Sequence, residues 1–186
     1  MVYESYPWKQ DLQRRKRLIL KYNTVERFDQ NYDSAFTVIE KGIFYSAFII
    51  RKLLDCGGKL SDEADQYVIK AKSIKPLVHI NLMQRWPEEN SHEWEHEKIV
   101  TVAGKDVCNW LIHSYLFFLE FEEGGAIINF CISSDYDRNK ALYKISIKDW
   151  LAYVDYIATD NIVGLLSHYN KKTHDYIYTR KERGVR

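Results

Sequence analysis

The stretch from Gly104 to Leu119, GKDVCNWLIHSYLFFL, decides the predicted fold, because its apolar side chains recur at helical spacing and indicate a third long helix. Two polar residues, Asn109 and His113, lie within it. Residues four apart on a helix project from one face, with Cβ atoms about 5–6 Å apart. An unpartnered buried polar group costs roughly 1–3 kcal/mol. The pair therefore predicts either core residues that bond to loop carbonyls or a functional site.

The composition is typical of a globular protein. The chain has 186 residues, of which 46% are hydrophobic and 15% aromatic, and it contains only three Pro and eight Gly. With so few Pro and Gly residues the chain has few candidate linkers, so a single domain over residues 1–186 is expected. A chain of this length buries about 70% of its unfolded surface, so it needs no metal or disulfide for stability. No cofactor is expected.

The cysteines predict a reducing compartment. Cys56, Cys108 and Cys131 are odd in number, widely spaced and in apolar surroundings, which favours reduced core residues and a cytoplasmic location. The first eight residues lack the basic and then apolar pattern of a signal peptide. No apolar run approaches the roughly 20 residues of a membrane span, so no membrane contact is expected.

Two helices are predicted before the Gly104 to Leu119 stretch, at about 8–30 and 33–55. Gly57 and Gly58 are expected to end the second helix. Its apolar residues cover more than one stripe, which is typical of a buried central helix, and Arg51 is the charged residue in it that we expect to face inward.

The region 59–104 gives weaker signals. A short helix within 60–71 and a strand over Val78 to Leu82 both fit the pattern, but Pro76 and Pro87 interrupt it. We expect loops and short elements here.

After residue 117 the apolar period changes from helical to two, which predicts a small antiparallel β-meander through 117–121, 126–133 and 142–147. Ser146 to Asp149 is expected to open a last helix at about 148–159. The predicted fold class is therefore α+β: mainly a helical bundle over about 8–120, with an appended meander and helix over about 117–160. A basic tail follows at about 167–186, where Tyr and polar residues alternate as in an edge strand.

The net charge of +1 conceals an uneven distribution. Basic residues crowd both ends of the chain, and acidic residues collect in the middle. The basic residues are Lys9, Arg14, Arg15, Lys16, Arg17 and Lys21, and then Lys171, Lys172, Arg180, Lys181, Arg183 and Arg186; the acidic ones are Glu88, Glu89, Glu93, Glu95 and Glu97, and then Glu120, Glu122 and Glu123. Two basic ends can form a phosphate-binding surface, although solvated basic helices are also common.

The hexapeptide Cys108-Asn109-Trp110-Leu111-Ile112-His113 resembles the signature of the HEPN superfamily, which has an Arg, often an Asn next to it, and a His four residues after that Asn. The preceding apolar helix, which ends in Arg51-Lys52-Leu53-Leu54, also suits that family. The resemblance implies an all-α core and a homodimer with facing motif helices. Many members are metal-independent endoribonucleases in toxin, CRISPR-associated or phage-defence systems.

Carried over by this resemblance, His113 is the general acid or base and Asn109 orients the phosphate. This chain departs from the family because Cys108 stands where the Arg belongs. A thiol cannot replace a guanidinium that neutralises a phosphorane. Either the chain is a catalytically inactive relative, or Arg51 from the neighbouring helix supplies the charge.

A second motif, His92-Glu93-Trp94-Glu95-His96, matches the HExxH string in which two His residues one helical turn apart bind zinc. A third ligand would come from His113, Glu120 or Glu122. The acidic, solvated flanks instead favour an exposed helix start. No Gly-rich phosphate loop and no GxSxG elbow occur in the sequence.

The predicted function is RNA-associated or defence-related, as a metal-independent ribonuclease that uses His113, Asn109 and Arg51 or as an inactive relative. One alternative is a noncatalytic dimeric interaction protein that binds a protein partner, which Cys108 favours. The other is a zinc-dependent hydrolase that uses His92 and His96.

Overall fold

The structure, a computed structural model, describes residues 2–184. Met1, Val185 and Arg186, the last of which ends the predicted basic tail, lie outside the described residues. The described part forms six helices, a five-stranded antiparallel sheet and a two-stranded hairpin. The helices are α1 Ser5–Tyr22, α2 Val25–Gln30, α3 Tyr32–Asp55, α4 Asp62–Asp65, α5 Gly104–Ile112 and α6 Ile147–Thr159. The strands are β1 Val68–Ile74, β2 Lys98–Ala103, β3 Ser114–Phe121, β4 Ile127–Ser134, β5 Leu142–Ser146, β6 Ile162–Asn170 and β7 Asp175–Arg183.

The central sheet has the strand order β2-β1-β5-β4-β3, with every neighbouring pair antiparallel. The middle strand is β5, whose Lys144 lies opposite Lys72 of β1 on one side and Cys131 of β4 on the other. β6 and β7 pair only with each other. This hairpin is therefore separate from the central sheet.

The main core lies between the helices and one face of the central sheet. α5 and α6 contact the sheet, α3 packs against α5, and α1 packs against α3 and α6. Trp150 of α6 is fully buried, and its ring meets Phe130 of β4 edge to face at 5.9 Å. Alternate residues of each strand supply the sheet side of this core, as expected for side chains that point to opposite faces.

The second face of the sheet is covered in part by the connection between β1 and β2. A smaller core forms there, in which Ile80 of the connection and Trp94 pack with strand residues such as Leu142. Tyr115 of β3 donates its hydroxyl to the carbonyl of Asn81 at 2.7 Å. This long connection is thus fixed to the sheet.

The predicted helical bundle is wrong. The molecule is an α+β protein in which the five-stranded sheet is the organising layer, and the helices pack on one of its faces. The strands predicted near 126–133 and 142–147 are present as β4 and β5, but they lie inside this large sheet and do not form a small appendage. In residues 2–184 no helix is long and apolar enough to cross a bilayer.

The main error concerns the predicted helix at 104–119. The helix ends at Ile112, His113 occupies its C-cap, and the chain enters β3 at Ser114. Residues 114–121, SYLFFLEF, are almost all apolar or aromatic, so they fit a helix period and a strand period equally well. Pairing with β4 decides between the two.

The region 59–104 also differs from its prediction. It supplies β1 and β2, which form one side of the central sheet, while the helix after Ser61 is only one turn long. Val78 to Leu82 is not a strand. The predicted helix at 8–30 is divided into α1 and α2, and the alternating segment near the C-terminus forms the hairpin β6 and β7.

Candidate functional site

The Asn109 and His113 side chains both lie on the outer side of α5, not in the core. Asn109 is half-buried and His113 is exposed, whereas Cys108 and Leu111 face inward and are buried. The backbone N–H of His113 donates to the carbonyl of Asn109 at 2.9 Å and closes the last turn of the helix. The prediction that Asn109 and His113 are enclosed core residues is therefore wrong, because neither side chain is fully buried. The two residues do lie on the same side of the helix, as predicted.

Arg51 joins this pair from α3. Its Nε donates to Asn109 Oδ1 at 2.8 Å, and a terminal guanidinium nitrogen pairs with Asp55 one turn further along the same helix. The Arg51 side chain is 35% exposed. The structure thus brings the Arg51 guanidinium to Asn109, and His113 follows one helical turn later; we call Arg51, Asn109 and His113 the Arg-Asn-His cluster.

Cys108 lies behind this cluster. It is fully buried, and burial raises the pKa of its thiol well above the ordinary value even though Arg51 acts in the opposite direction. A buried, protonated thiol is a poor nucleophile and a poor partner for an anion. Cys108 is therefore a packing residue of α5.

A surface pocket of about 560 Å³ opens beside the cluster. It is lined by Asp106, Asn109, Trp110 and His113 of the α5 region, by Ser134 at the end of β4, and by Asp135, Tyr136 and Asp137 of the turn that follows. Trp110 forms one wall, because its ring stacks on Tyr143 at 3.9 Å between centroids and at an interplanar angle of 8°.

The carboxylates of the pocket are mostly engaged in local structure. Asp137 accepts hydrogen bonds from Ser134 Oγ at 2.9 Å, from Trp110 Nε1 at 3.1 Å and from Lys140 Nζ at 3.2 Å. Asp135 pairs with Arg138. These bonds fix the turn and leave the pocket lined by three carboxylates.

An imidazole, a carboxamide and a guanidinium at one place can move a proton and donate hydrogen bonds to an anion. The surrounding charges oppose that use, because Asp55 neutralises Arg51 and three further carboxylates line the pocket. Asp135 and Asp137 are themselves paired with Arg138 and Lys140, so Asp106 is the carboxylate of the lining that repels a phosphate by Coulomb's law. The cluster has the required side chains but not an electropositive environment.

The HExxH string is not helical. Residues 91–97 form turns and an isolated bridge between His92 and Pro76. His92 is buried, with Nδ1 at 2.8 Å from Ser91 Oγ, and burial lowers the pKa of its ring; His96 is exposed. In residues 2–184 no group of three or more His, Cys, Asp or Glu side chains is arranged to hold a metal ion. His92 and His96 therefore do not form the two-histidine face of a zinc-binding helix.

Two exposed surfaces lie outside the predicted site. The first, which we call the arm, is the hairpin of residues 162–183. Every residue from Leu165 to Arg180 except Asn170 is exposed, and seven large apolar side chains of the arm are among the exposed ones. They are Val163, Leu165, Leu166, Tyr169, Tyr176, Ile177 and Tyr178. The alternation of Tyr and polar residues was the sequence signal for this surface.

The arm is anchored at its base. A Cβ on Gly57 would lie 2.8 Å from the ring of Tyr178, so a larger residue there would force this ring to move. Lys181 forms ion pairs with Asp62 and Asp65 of α4. The Gly57-Gly58 pair therefore also receives the arm, beyond its predicted role at the end of a helix.

The second surface, which we call the acidic loop, is the connection of residues 75–97 between β1 and β2. It exposes five large apolar side chains, namely Leu77, Val78, Leu82, Met83 and Trp86. Glu88, Glu89 and Glu95 lie in the same loop and are exposed. The prolines and mixed periodicity of this region concealed the surface at the level of sequence.

Comparison with known proteins identifies no relative: no family model matches the chain, and no curated protein or solved structure matches it.

Proposed function

We propose that this protein is a noncatalytic interaction protein that acts by binding a partner through the arm. The observation that carries the proposal is the exposure of the hairpin from Leu165 to Arg180, with apolar side chains on both of its faces. Contiguous apolar surface of this kind on a soluble domain marks a site of association. The Arg-Asn-His cluster has a structural role in this proposal, because Arg51 binds both Asn109 and Asp55.

The test uses two apolar side chains on the face of the arm that points away from α4. Leu166 and Ile177 are 59% and 41% exposed, and Leu166→Ser with Ile177→Ser removes them. We expect the tagged wild-type chain to elute from a native cell extract as a complex larger than a monomer. The arm variant should elute as a monomer, because burial of its apolar side chains drives association.

Leu20→Ser with Ile128→Ser is the matched control, since these side chains are 55% and 42% exposed and lie outside the arm. The control should elute like the wild type, and both variants should keep the wild-type unfolding midpoint. A wild-type chain that elutes as a monomer in the extract would contradict the proposal.

A second candidate function is metal-independent ribonuclease activity with RNA as the substrate, in keeping with the HEPN resemblance. The convergence of Arg51, Asn109 and His113 favours it, because two helices that are distant in sequence supply the cation and the imidazole. In this candidate His113 transfers the proton of the attacking 2′-hydroxyl, and Arg51 stabilises the phosphorane charge.

Cleavage of a structured RNA pool in excess EDTA distinguishes the two functions. If the protein is noncatalytic, we expect the same background level of RNA cleavage with the wild type, with His113→Ala and with His174→Ala. The last variant is the control and changes an exposed histidine of the arm. Cleavage by the wild type and His174→Ala that is lost in His113→Ala would establish the ribonuclease. Loss of cleavage in Arg51→Met as well would identify Arg51 as the cation of the ribonuclease site.

A further inference from the structure

The arm and the acidic loop carry a large share of the exposed apolar surface. Of the 24 large apolar side chains that are exposed in residues 2–184, twelve lie in these two segments. The segments together comprise only 45 of the 186 residues. This concentration marks them as two sites of association and not as scattered surface residues.

The two segments also carry opposite charge. The arm has five Lys or Arg against two Asp or Glu, for a net charge of +3, and the acidic loop has two against five, for a net charge of −3. Lys171 and Lys172 at the tip of the arm have no ion-pair partner among the described residues, and neither do the exposed Glu88 and Glu89 of the loop. Each segment offers the charge that the other lacks.

Both surfaces are held in place before any partner binds. At the tip of the arm, Asn170 Oδ1 accepts a hydrogen bond from the Lys172 N–H at 2.9 Å, and Tyr169 and Tyr176 pack edge to face at 5.3 Å. In the loop, the Ile80 N–H donates to Asn139 Oδ1 at 2.6 Å. Preorganised surfaces lose less conformational entropy on binding.

One copy cannot satisfy its own surfaces. The arm rests on α4, which precedes β1, whereas the loop begins where β1 ends. The seven residues of β1 separate these two ends by about 20 Å, at roughly 3.3 Å per residue. The apolar side chains of both segments are exposed in the single chain, so neither segment covers the other.

We infer that the partner is a second copy of this chain, and that the arm of one copy docks on the acidic loop of the other. This inference rests on the proposed function, since it names the partner of the arm. Apolar side chains of the two segments pack together, and Lys171 and Lys172 face Glu88 and Glu89 across the contact. Because each copy has one arm and one loop, a twofold pair buries both surfaces of both copies.

A second copy fits the arm better than a nucleic acid does. Of the cations between Leu165 and Arg180, only Lys171 and Lys172 lack an acidic partner in the described structure, since Arg180 pairs with Glu182 at 2.8 Å. Nucleic-acid affinity derives chiefly from several neutralised phosphates. Leu166 and Ile177 on the outer face of the arm suit a protein surface instead.

The test is a charge exchange between the two surfaces, followed by sedimentation velocity of the purified full-length protein over a wide range of concentration. Lys171→Glu with Lys172→Glu should weaken self-association by about tenfold or more, and so should Glu88→Lys with Glu89→Lys. The variant that combines all four changes should recover most of the wild-type association, because the pairs are restored with reversed sign. Lys41→Glu with Lys148→Glu, two exposed lysines outside both segments, is the control and should associate like the wild type.

Three results would overturn the inference. One is a purified wild-type protein that stays monomeric at every concentration. Another is an oligomer that neither charge reversal weakens, or that the combined variant does not restore. The last is RNA binding in a mobility-shift assay that Lys171→Glu with Lys172→Glu abolishes while the oligomeric state is unchanged, because the partner of the arm is then a nucleic acid.

The failure of this inference differs from the failure of the proposed function. If the purified protein is a monomer but forms an arm-dependent complex in the cell extract, the arm still binds a partner, and only the inference that this partner is a second copy is wrong. A monomer in both settings removes the proposed function as well.

Discussion

Arg51 and Asn109 lie 58 positions apart in the chain, and the hydrogen bond between them joins α3 to α5. The guanidinium also pairs with Asp55, so two of its donors are already engaged. Planar donors of this kind hold two acceptors at fixed angles, which a lysine cannot do. At this scale the candidate site is a clamp between two helices with an exposed imidazole beside it.

A double-mutant cycle measures this clamp. Arg51→Met and Asn109→Leu should each lower the free energy of unfolding by about 1 kcal/mol, the value for a hydrogen bond to a charged group after discounting for its partial exposure. The double variant should lose less than the sum of the two, with a coupling of about 0.5–1 kcal/mol in urea unfolding. Additive losses would mean that the bond contributes nothing to stability in solution.

At the scale of elements, α5 is a short helix whose position depends on a close approach at its first residue. A Cβ on Gly104 would lie 2.4 Å from the ring of Tyr153 in α6. The Gly104 N–H also donates to the carbonyl of Tyr67 at 2.8 Å. The glycine therefore lets the first turn of α5 lie directly against the Tyr153 ring of α6.

Gly104→Ala should destabilise the protein by about 1–3 kcal/mol, the usual cost of forcing extra volume into a packed core. Gly124→Ala is the matched control, because the nearest atom to a Cβ there is 3.7 Å away, and it should change stability little. Chemical denaturation of both variants measures the difference. Equal stability of the two would show that α5 can shift without cost.

At the scale of the whole molecule, an ionic cluster joins distant parts of the chain on the sheet face opposite the helices. Lys144 of β5 pairs with Glu97 at 2.5 Å and with Glu120 of β3 at 2.8 Å, and Glu97 also pairs with Lys72 of β1 at 2.6 Å. Burial by itself raises the pKa of Glu97, but hydrogen bonds from Lys144 and Lys72 outweigh it and lower this pKa. Burial lowers the pKa of Lys144, and its bonds to Glu120 and Glu97 raise it overall.

These shifts predict a pH window for the stabilisation by Lys144. The contribution of Glu97 is present above its ordinary pKa of 4.5 and is lost as the pH falls through its lowered value. The contribution of Lys144 is present below 10.5 and is lost as the pH rises through its raised value. Lys144→Met should therefore cost about 1–2 kcal/mol near neutral pH, since it leaves two carboxylates without their shared cation.

Thermal unfolding of the wild type and Lys144→Met across pH measures this window. The difference in unfolding temperature between the two proteins should be largest between pH 4.5 and pH 10.5 and should become smaller outside that range. Lys148→Met, at an exposed lysine of α6, should follow the wild type throughout. A difference in unfolding temperature that does not depend on pH would mean that Lys144→Met loses stability through packing and not through charge.

How far the fold follows from local sequence depends on the range of the interactions that form it. Gly58, with φ of +75°, follows the end of α3, and Ser146 caps α6 by accepting from the Asp149 N–H at 2.9 Å; both features were readable from the sequence. β1 was not, because its pairing partners lie far along the chain, as in the pairing of Ala71 with Val100. Strand formation there depends on neighbours that a local pattern does not contain.

The candidate site was predictable in part for the same reason. Helical spacing placed Asn109 and His113 on one face, and the apolar context of α3 singled out Arg51. Their burial was not predictable, because the residue types of α5 do not show which of its sides meets the sheet. The arm and the acidic loop became evident as surfaces only when the packing showed what covers each residue.

The sequence by itself determined the helices whose caps and apolar stripes lie within a few residues of one another, and the strands whose apolar and polar residues alternate clearly. It also determined the opposite net charges of the arm and the acidic loop. Only the tertiary structure decided that β3 follows Ile112, that five strands form one sheet, that Arg51 binds Asn109, and that the arm and the acidic loop expose apolar side chains. The physical reason is range: a helix closes its hydrogen bonds four residues away, whereas a sheet, a clamp between helices and an exposed surface depend on residues that meet only when the whole chain has folded.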